Sequence, residues 1–140
     1  MVNWFINTII KMELTLNEYQ KRAMSTCMPS CENFGYMFLN LVGEMGEFAS
    51  KVAKHIRKGH YSIMDCNIAN GNNIDDLENP ELALNELKKE AGDCLWQLSG
   101  LCKIMGWNLE DVAQMNLDKL AARKEAGTID GNGDGIIRGK

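Results

Sequence analysis

Residues 34–58 read FGYMFLNLVGEMGEFASKVAKHIRK, and the prediction of the fold depends most on this segment. Apolar side chains recur in it at steps of three and four residues, the period of a helix with one face towards a core. The predicted core face comprises Phe38, Leu41, Val42, Met45, Ala49, Val52 and Ile56. Basic residues crowd the last turn, where the helix dipole favours cations, and Gly59 follows as a stop signal. The stretch therefore predicts one long amphipathic helix.

Three further helices are predicted on either side of this one. Thr15 and Glu18 form a capping-box pattern that begins a helix over 16–26. Asn79 as cap and Pro80 in the first turn begin a helix over 80–105. Asn108 is expected to cap the last helix, over 109–126. The predicted core face of the third helix is Leu84, Leu87, Ala91, Cys94, Leu95, Leu98 and Leu101.

Four amphipathic helices with mostly short links predict an all-α four-helix bundle. The 140 residues suit one domain, and a 45% hydrophobic fraction is normal for a globular chain. We divide the sequence into an N-terminal extension (1–14), a helical domain (15–127) and a glycine-rich flexible tail (128–140). Either Met1 or Met12 could be the start. Residues 60–79 lack periodicity, so we expect a long connection there, with room for a short helical turn.

Charge and cysteine content exclude several classes of protein. A net charge of −4 gives no reason to expect a nucleic-acid partner, because such proteins usually carry a basic face. The apolar run near the N-terminus is too short to span a membrane. Five cysteines are an odd number, which favours reduced thiols and a cytoplasmic location. Cys27 and Cys31 have zinc-like spacing but lack a second pair, so we interpret them as structural.

Two pairs of acidic residues carry the predicted chemistry. Glu44 and Glu47 lie three residues apart in the second helix, and Glu90 and Asp93 have the same spacing in the third. That spacing puts both members of a pair on one helical face, so four carboxylates can meet if the two helices pack antiparallel. Hard oxygen ligands in this number favour Mg²⁺, with Mn²⁺ possible. Such an ion would activate a water molecule to attack a bound phosphate.

The alternative interpretation of the acidic pairs is two solvated faces. Glu44 and Glu47 could pair with Lys51 and Lys54 along their own helix, as charged stripes commonly do. The residue pattern by itself leaves both interpretations open. His55 and His60 have no carboxylate or nucleophile at fixed spacing, and we expect both to be surface residues.

The segments Gly43-Glu44-Met45-Gly46-Glu47 and Lys89-Glu90-Ala91-Gly92-Asp93-Cys94-Leu95-Trp96 resemble the two signatures of the MazG-like all-α nucleotide pyrophosphohydrolases. Further likeness lies in the opening 16–20, in the glycine-rich 131–134 and in the N-x-x-K-L-x-x-R pattern of 116–123. The resemblance thus spans residues 16–134. Two features depart from it: many relatives have a glutamate where this chain has Gly43, and the stretch between the acidic pairs is longer than usual.

The resemblance implies a magnesium-dependent homodimer or homotetramer that hydrolyses (deoxy)nucleoside triphosphates to monophosphate and pyrophosphate. It implies that the metal ligands and catalytic residues are Glu44, Glu47, Glu90 and Asp93. It also implies a substrate-binding set on the last helix, consisting of Asn116, Lys119 and Arg123. Lys51 and Lys54 are weaker candidates for binding phosphate. The rival hypothesis is a non-catalytic helical module that binds a nucleotide or another protein.

Overall fold

The computed structural model describes residues 14–64 and 67–129. Its helices are α1 (Leu16–Met24), α2 (Phe34–Arg57), α3 (Pro80–Ile104) and α4 (Leu109–Glu125). Two short strands, β1 (Tyr61–Met64) and β2 (Asn67–Asn70), lie between α2 and α3, and single 3₁₀ turns occupy Pro29–Cys31 and Ile74–Asp76. The predicted all-α architecture of four helices is confirmed. Every predicted helix boundary lies within two residues of the observed one.

Helices α2 and α3 form the largest contact of the fold and run antiparallel. Their direction follows from the contacts, since Met37 meets Gly100 at one end while Lys51 pairs with Glu90 further along. Helix α1 packs on α3, and α4 lies mainly against α1 and α3. The buried core is small and sits where α1, α2 and α3 meet, formed by Ala23, Met24 and Met37 with Tyr19, Cys27, Trp96, Leu101 and Ile104 packed against it.

A buried glutamine ties α1 to the turn between α3 and α4. The Gln20 amide donates to the carbonyl oxygens of Ser99 (3.2 Å) and Trp107 (3.0 Å). Its Oε1 accepts from the backbone N–H of Leu109, at 3.0 Å. Asn108 is the N-cap residue of α4, as predicted, but its side chain makes no capping hydrogen bond and donates to Asp111 instead. The first amides of α4 therefore donate to side chains of α1. This capping could not be predicted from the residues around Asn108, because the acceptors are distant in sequence.

The connection between α2 and α3 contains a β-hairpin, which corrects the prediction of an irregular connection. Tyr61 pairs with Asn70 and Met64 with Asn67 in an antiparallel register. The hairpin closes against the end of α2, where Gly71 N–H donates to the His60 carbonyl at 2.8 Å. Strands of four residues are too short to reveal an alternating pattern, which explains why no strand could be predicted here.

Large parts of the predicted core faces are exposed in the single chain, so that assignment is partly wrong. On α2, Phe38 is 47% exposed and Val42 and Met45 are each 58% exposed, and Ala49 is exposed as well. On α3, the same holds for Leu84, Ala91 and Leu98. The helical periodicity was correct, but α3 and the hairpin cover only part of the broad apolar stripe of α2. Val52 is buried as expected.

Cysteines 27, 31, 94 and 102 are free thiols in the described part of the chain. The structural role of these cysteines and the cytoplasmic location stay predictions. No helix within 14–64 and 67–129 combines the length and apolarity needed to cross a bilayer. Most of the predicted N-terminal extension, and the tail beyond residue 129, lie outside the described residues.

Candidate active site

Three of the four predicted carboxylates come together between α2 and α3. Oxygens of Glu44, Glu90 and Asp93 lie within 4.8 Å of one another. The three-residue step between Glu90 and Asp93 puts both on the face of α3 that meets α2. We call these three residues the carboxylate cluster. Glu47 lies one turn beyond Glu44, is exposed, and is not one of the group.

The carboxylate cluster is electrostatically costly for the fold. Glu90 is only 7% exposed, and a buried glutamate needs a partner, which Lys51 supplies from α2. Burial raises the pKa of Glu44, and the negative charges of Asp93, Glu47 and Glu90 raise it further. Asn40 partly offsets this by donating to Glu44 Oε1 at 3.1 Å. A cation between the carboxylates would remove the repulsion, because each oxygen would then face opposite charge.

Lys51 forms an ion pair with Glu90 across the two helices. The hydrogen bond to Glu90 raises the pKa of Lys51, and the charges of Glu86 and Glu47 add to the effect. Lys51 therefore stays protonated beside the cluster. The solvated-face alternative, in which Lys51 pairs with Glu44 or Glu47 along α2, does not describe this contact, since the partner of Lys51 lies on the other helix.

The donor set of the cluster fits a hard divalent cation. All three groups offer carboxylate oxygen, the ligand that Mg²⁺ and Mn²⁺ prefer over nitrogen or sulfur. Ligand oxygens on opposite sides of one Mg²⁺ lie about 4.2 Å apart, twice the usual metal–oxygen distance. Separations within 4.8 Å thus need only small side-chain movements to close on an ion. Waters and substrate oxygens would supply the remaining ligands, as is usual for Mg²⁺.

A cavity of about 520 Å³ opens beside the carboxylate cluster. Its walls are the last two turns of α2, the segment 76–79 and the first two turns of α3, and we call it the linker cavity. Two predicted substrate-binding residues, Lys51 and Lys54, line it, and Lys58 joins them. Lys51 belongs to both features, because it lines the linker cavity and bonds to Glu90. The linker cavity and the cluster are therefore adjacent.

The two histidines of the chain meet at the floor of the linker cavity, so the expectation of two separate surface histidines is wrong. His55 Nδ1 and His60 Nδ1 lie 3.0 Å apart, and His60 is 8% exposed. Burial lowers the pKa of His55, and the positive charges of His60, Lys54 and Lys58 lower it further. Sequence spacing gave no sign of this pair, because the left-handed turn at Gly59 (φ 73°) brings His60 back towards α2.

The predicted residues of α4 lie in a different part of the fold. Asn116 and Lys119 line a second cavity, together with Trp107 and Met115, next to the turn between α3 and α4. Arg123 is half-buried near the end of α4, where its carbonyl oxygen accepts from the Thr128 amide at 2.9 Å. The structure does not bring Asn116 or Lys119 into the linker cavity, and the phosphate-binding role of all three residues stays a prediction.

Comparison with known proteins agrees with this geometry. Residues 33–128 match the family model described as the MazG nucleotide pyrophosphohydrolase domain, a stretch that contains α2, α3 and α4. The chain is also 36% identical over 105 residues to the Gene 37 protein of Mycobacterium phage L5, covering 75% of this chain and 78% of that protein. No solved structure matches significantly. A match over more than half of the residues, including all four predicted carboxylates, shows that this chain belongs to the MazG nucleotide pyrophosphohydrolase family.

Proposed function

We propose that the protein hydrolyses (deoxy)nucleoside triphosphates to nucleoside monophosphate and pyrophosphate, with Mg²⁺ as cofactor and Mn²⁺ as a possible substitute. The observation that carries the proposal is the convergence of Glu44, Glu90 and Asp93 across two helices. Three carboxylates of graded burial (Glu90 buried, Glu44 half-buried, Asp93 exposed) that meet at one point have a physical reason to do so if they hold a cation, and membership of the family supplies the matching chemistry.

The reaction adds one water molecule across the α–β phosphoanhydride bond. The water oxygen bonds to the α-phosphorus, the bridging oxygen leaves with pyrophosphate, and one water proton is released. Glu44, Glu90 and Asp93 would hold the ion, with Glu47 completing the set from its exposed position. The ion would offset phosphate charge and lower the pKa of the attacking water. Lys51, already beside Glu90, is placed to bind a phosphate oxygen, and Lys54 follows it along α2.

The resemblance to the family also assigns substrate binding to residues of α4. Lys119 and Arg123 stand four residues apart, so both cations face one side of the helix and could hold phosphates. Asn116 would add a hydrogen bond. These side chains could serve a cluster in a neighbouring copy, because α4 packs mainly on α1 and α3 in its own chain.

We infer further that the enzyme is a homodimer or homotetramer. Apolar side chains with exposed fractions of 47–72% crowd the surfaces of α2 and α4, namely Phe34, Phe38, Leu39, Val42, Met45, Met115 and Leu117. Exposed apolar area of this kind commonly marks a subunit interface. Sedimentation analysis of the whole chain tests this, and a monomer at micromolar concentration would contradict it.

A pyrophosphate-release assay over a panel of triphosphates tests the enzymatic proposal. We expect turnover only with a divalent metal, and a loss of at least about a hundredfold in kcat/KM for Asp93→Asn and Glu47→Gln. The matched control is Glu125→Gln, which neutralises an exposed glutamate at the end of α4. Equal turnover by wild type and all variants would end the catalytic assignment.

Melting temperatures separate the enzyme from the rival non-catalytic module. A metal site predicts that Mg²⁺ raises the melting temperature of the wild type by mass action, and that Asp93→Asn abolishes the rise. A protein-interaction module predicts no response to Mg²⁺ in either protein. A nucleotide-binding regulator predicts stabilisation without product.

A further inference from the structure

We propose that the linker cavity binds the nucleoside end of the substrate, an inference that rests on the function proposed above. The linker cavity begins at Lys51, and Lys51 is bonded to Glu90 of the carboxylate cluster. A triphosphate whose scissile bond lies at the cluster therefore has this cavity at one of its two ends. The choice is between the nucleoside and the leaving pyrophosphate.

The size and the apolar walls of the linker cavity favour the nucleoside. About 520 Å³ lies within the range typical of small-molecule sites, roughly 300–1,000 Å³. Leu77, Leu82 and Ala83 line the side formed by the connection and α3. Flat nucleobases gain from contact with apolar side chains, whereas pyrophosphate is small, highly charged and gains nothing from them.

The charges around the linker cavity point the same way. Three carboxylates, those of Asp76, Glu78 and Glu86, line it and face the three lysines of α2 across it. The two histidines in the lining add no charge while they are neutral, so the formal charges of the lining balance. A site for a leaving pyrophosphate would need an excess of positive charge, because carboxylates repel phosphate oxygens. A neutral nucleoside has no such requirement, and its N–H and O–H groups can donate to carboxylates.

Asp76 and Glu78 also indicate which bases fit. An ionised carboxylate only accepts hydrogen bonds, so it selects groups that donate. Cytosine, adenine and guanine carry an exocyclic amino group with two N–H donors, whereas uracil and thymine lack this group and offer only the single ring N3–H. The inferred substrate class is therefore nucleotides of amino-bearing bases, with these two carboxylates as specificity-determining residues.

The structure offers a matched pair of variants to test the site. Leu82 and Leu84 lie on the first turns of α3 and are 56% and 55% exposed, but only Leu82 lines the linker cavity. Both Leu82→Glu and Leu84→Glu place the same charge on the same helix without disturbing buried core. Calorimetry with Mg²⁺ present then measures binding of the common nucleoside monophosphates and, separately, of inorganic pyrophosphate.

We expect Leu82→Glu to weaken monophosphate binding about tenfold, because it puts a charge against the base, while pyrophosphate binding changes less than twofold. Leu84→Glu should change neither. Weakened pyrophosphate binding with unchanged monophosphate binding would overturn the proposal and reverse the orientation of the substrate. Equal behaviour of the two variants, or no monophosphate binding by the wild type, would also overturn it.

The double variant Asp76→Asn/Glu78→Gln tests the base preference. We expect the wild type to bind cytidine, adenosine and guanosine monophosphates more tightly than uridine monophosphate, and the double variant to lose about tenfold of that discrimination. A wild type without preference would refute the role of the carboxylates. These binding measurements need no turnover, so a protein that binds nucleotides as expected but releases no pyrophosphate would refute the enzymatic function alone.

Discussion

Near the end of α3, Gly100 has no room for a side chain, since an added Cβ would clash with Met37 Sδ. Two turns earlier on the same helix, a Cβ on Gly92 would meet nothing within 4 Å. The two glycines belong to one helix, and both regions involve α2. Around Met37 the helices form close apolar contact, and Met37 is fully buried. Around Gly92 the same helices bring Glu44, Glu90 and Asp93 together. The contact around Met37 therefore stabilises the fold, whereas the carboxylate cluster destabilises it.

The physical difference lies in what the buried groups gain from folding. At the Met37 end, burial removes apolar surface from water, and Gln20 satisfies three backbone groups nearby. At the cluster, folding brings like charges together. Burial of Glu44 and the neighbouring negative charges both raise its pKa. Proteins tolerate such local conflicts mainly where a ligand resolves them. The comparison therefore supports a binding role for the second region more strongly than the acidic spacing alone.

The largest effect on stability is expected from alanine at the two glycines. Gly100→Ala should destabilise the fold by about 2 kcal/mol, because the fully buried Met37 side chain must shift to admit the added methyl group. Gly92→Ala should stabilise it by about 0.5–1 kcal/mol, the gain in helix propensity at an open position. Urea denaturation without metal measures both changes in the free energy of unfolding. Similar values for the two variants would show that the regions do not differ in packing.

Glu44→Gln should stabilise the protein in the absence of divalent metal by about 0.5–1 kcal/mol, the size of an interaction between partly exposed charges. The folded-state pKa of Glu44 is raised by burial and by Asp93, Glu47 and Glu90, so folding favours its protonated form. The contribution of protonated Glu44 to stability is complete below the unfolded-state pKa, about 4.3. This contribution is lost as the pH rises through the raised folded-state pKa. Above that pH the wild type carries the unfavourable charge, and glutamine removes it.

Melting curves in a chelating buffer between pH 4 and pH 8 check this expectation, with Glu125→Gln as the control for an exposed glutamate. The advantage of Glu44→Gln should grow with pH and then level off. Added Mg²⁺ should reverse the order, because only the wild type keeps the full ligand set. A wild type that is more stable than Glu44→Gln in chelator at pH 8 would contradict a costly cluster.

The sequence predicted much of the fold because helical signals are local. Thr15 and Asn79 are caps with a side-chain oxygen that accepts a backbone N–H, as their positions indicated. The acidic spacing predicted the meeting of α2 and α3 at Glu44, Glu90 and Asp93. Periodicity could not say how much of the apolar stripe of α2 one chain covers, since that depends on neighbours and not on the helix itself. Exposed Val42 is the result.

Features that join distant parts of the chain escaped prediction. The linker cavity needs the segment 76–79 to lie against the end of α2, and a hairpin of two short strands places it there. The capping of α4 by Gln20 links residues 89 positions apart. The resemblance to a family could name Glu47, Lys119 and Arg123, but it carries no information about how this chain's longer connection is folded.

The contact between His55 and His60 gives the smallest expected effect, about 0.5 kcal/mol, the low end for a net hydrogen bond. The Nδ1–Nδ1 contact needs one donor and one acceptor, so it exists only while at least one ring is neutral. Burial and the charges of His60, Lys54 and Lys58 lower the folded-state pKa of His55. The stability from neutral His55 is therefore complete above the unfolded-state pKa, about 6.5, and decreases as the pH falls towards the lowered value.

Replacing His55 by glutamine tests this directly, since the amide cannot titrate. The free energy of unfolding of His55→Gln should vary less than that of the wild type between pH 7.5 and pH 5. NMR titration of the ring protons should give the wild-type His55 a pKa below that of an ordinary histidine. A wild type whose stability rises as the pH falls through this range would show that folding favours the protonated pair, and it would contradict this expectation.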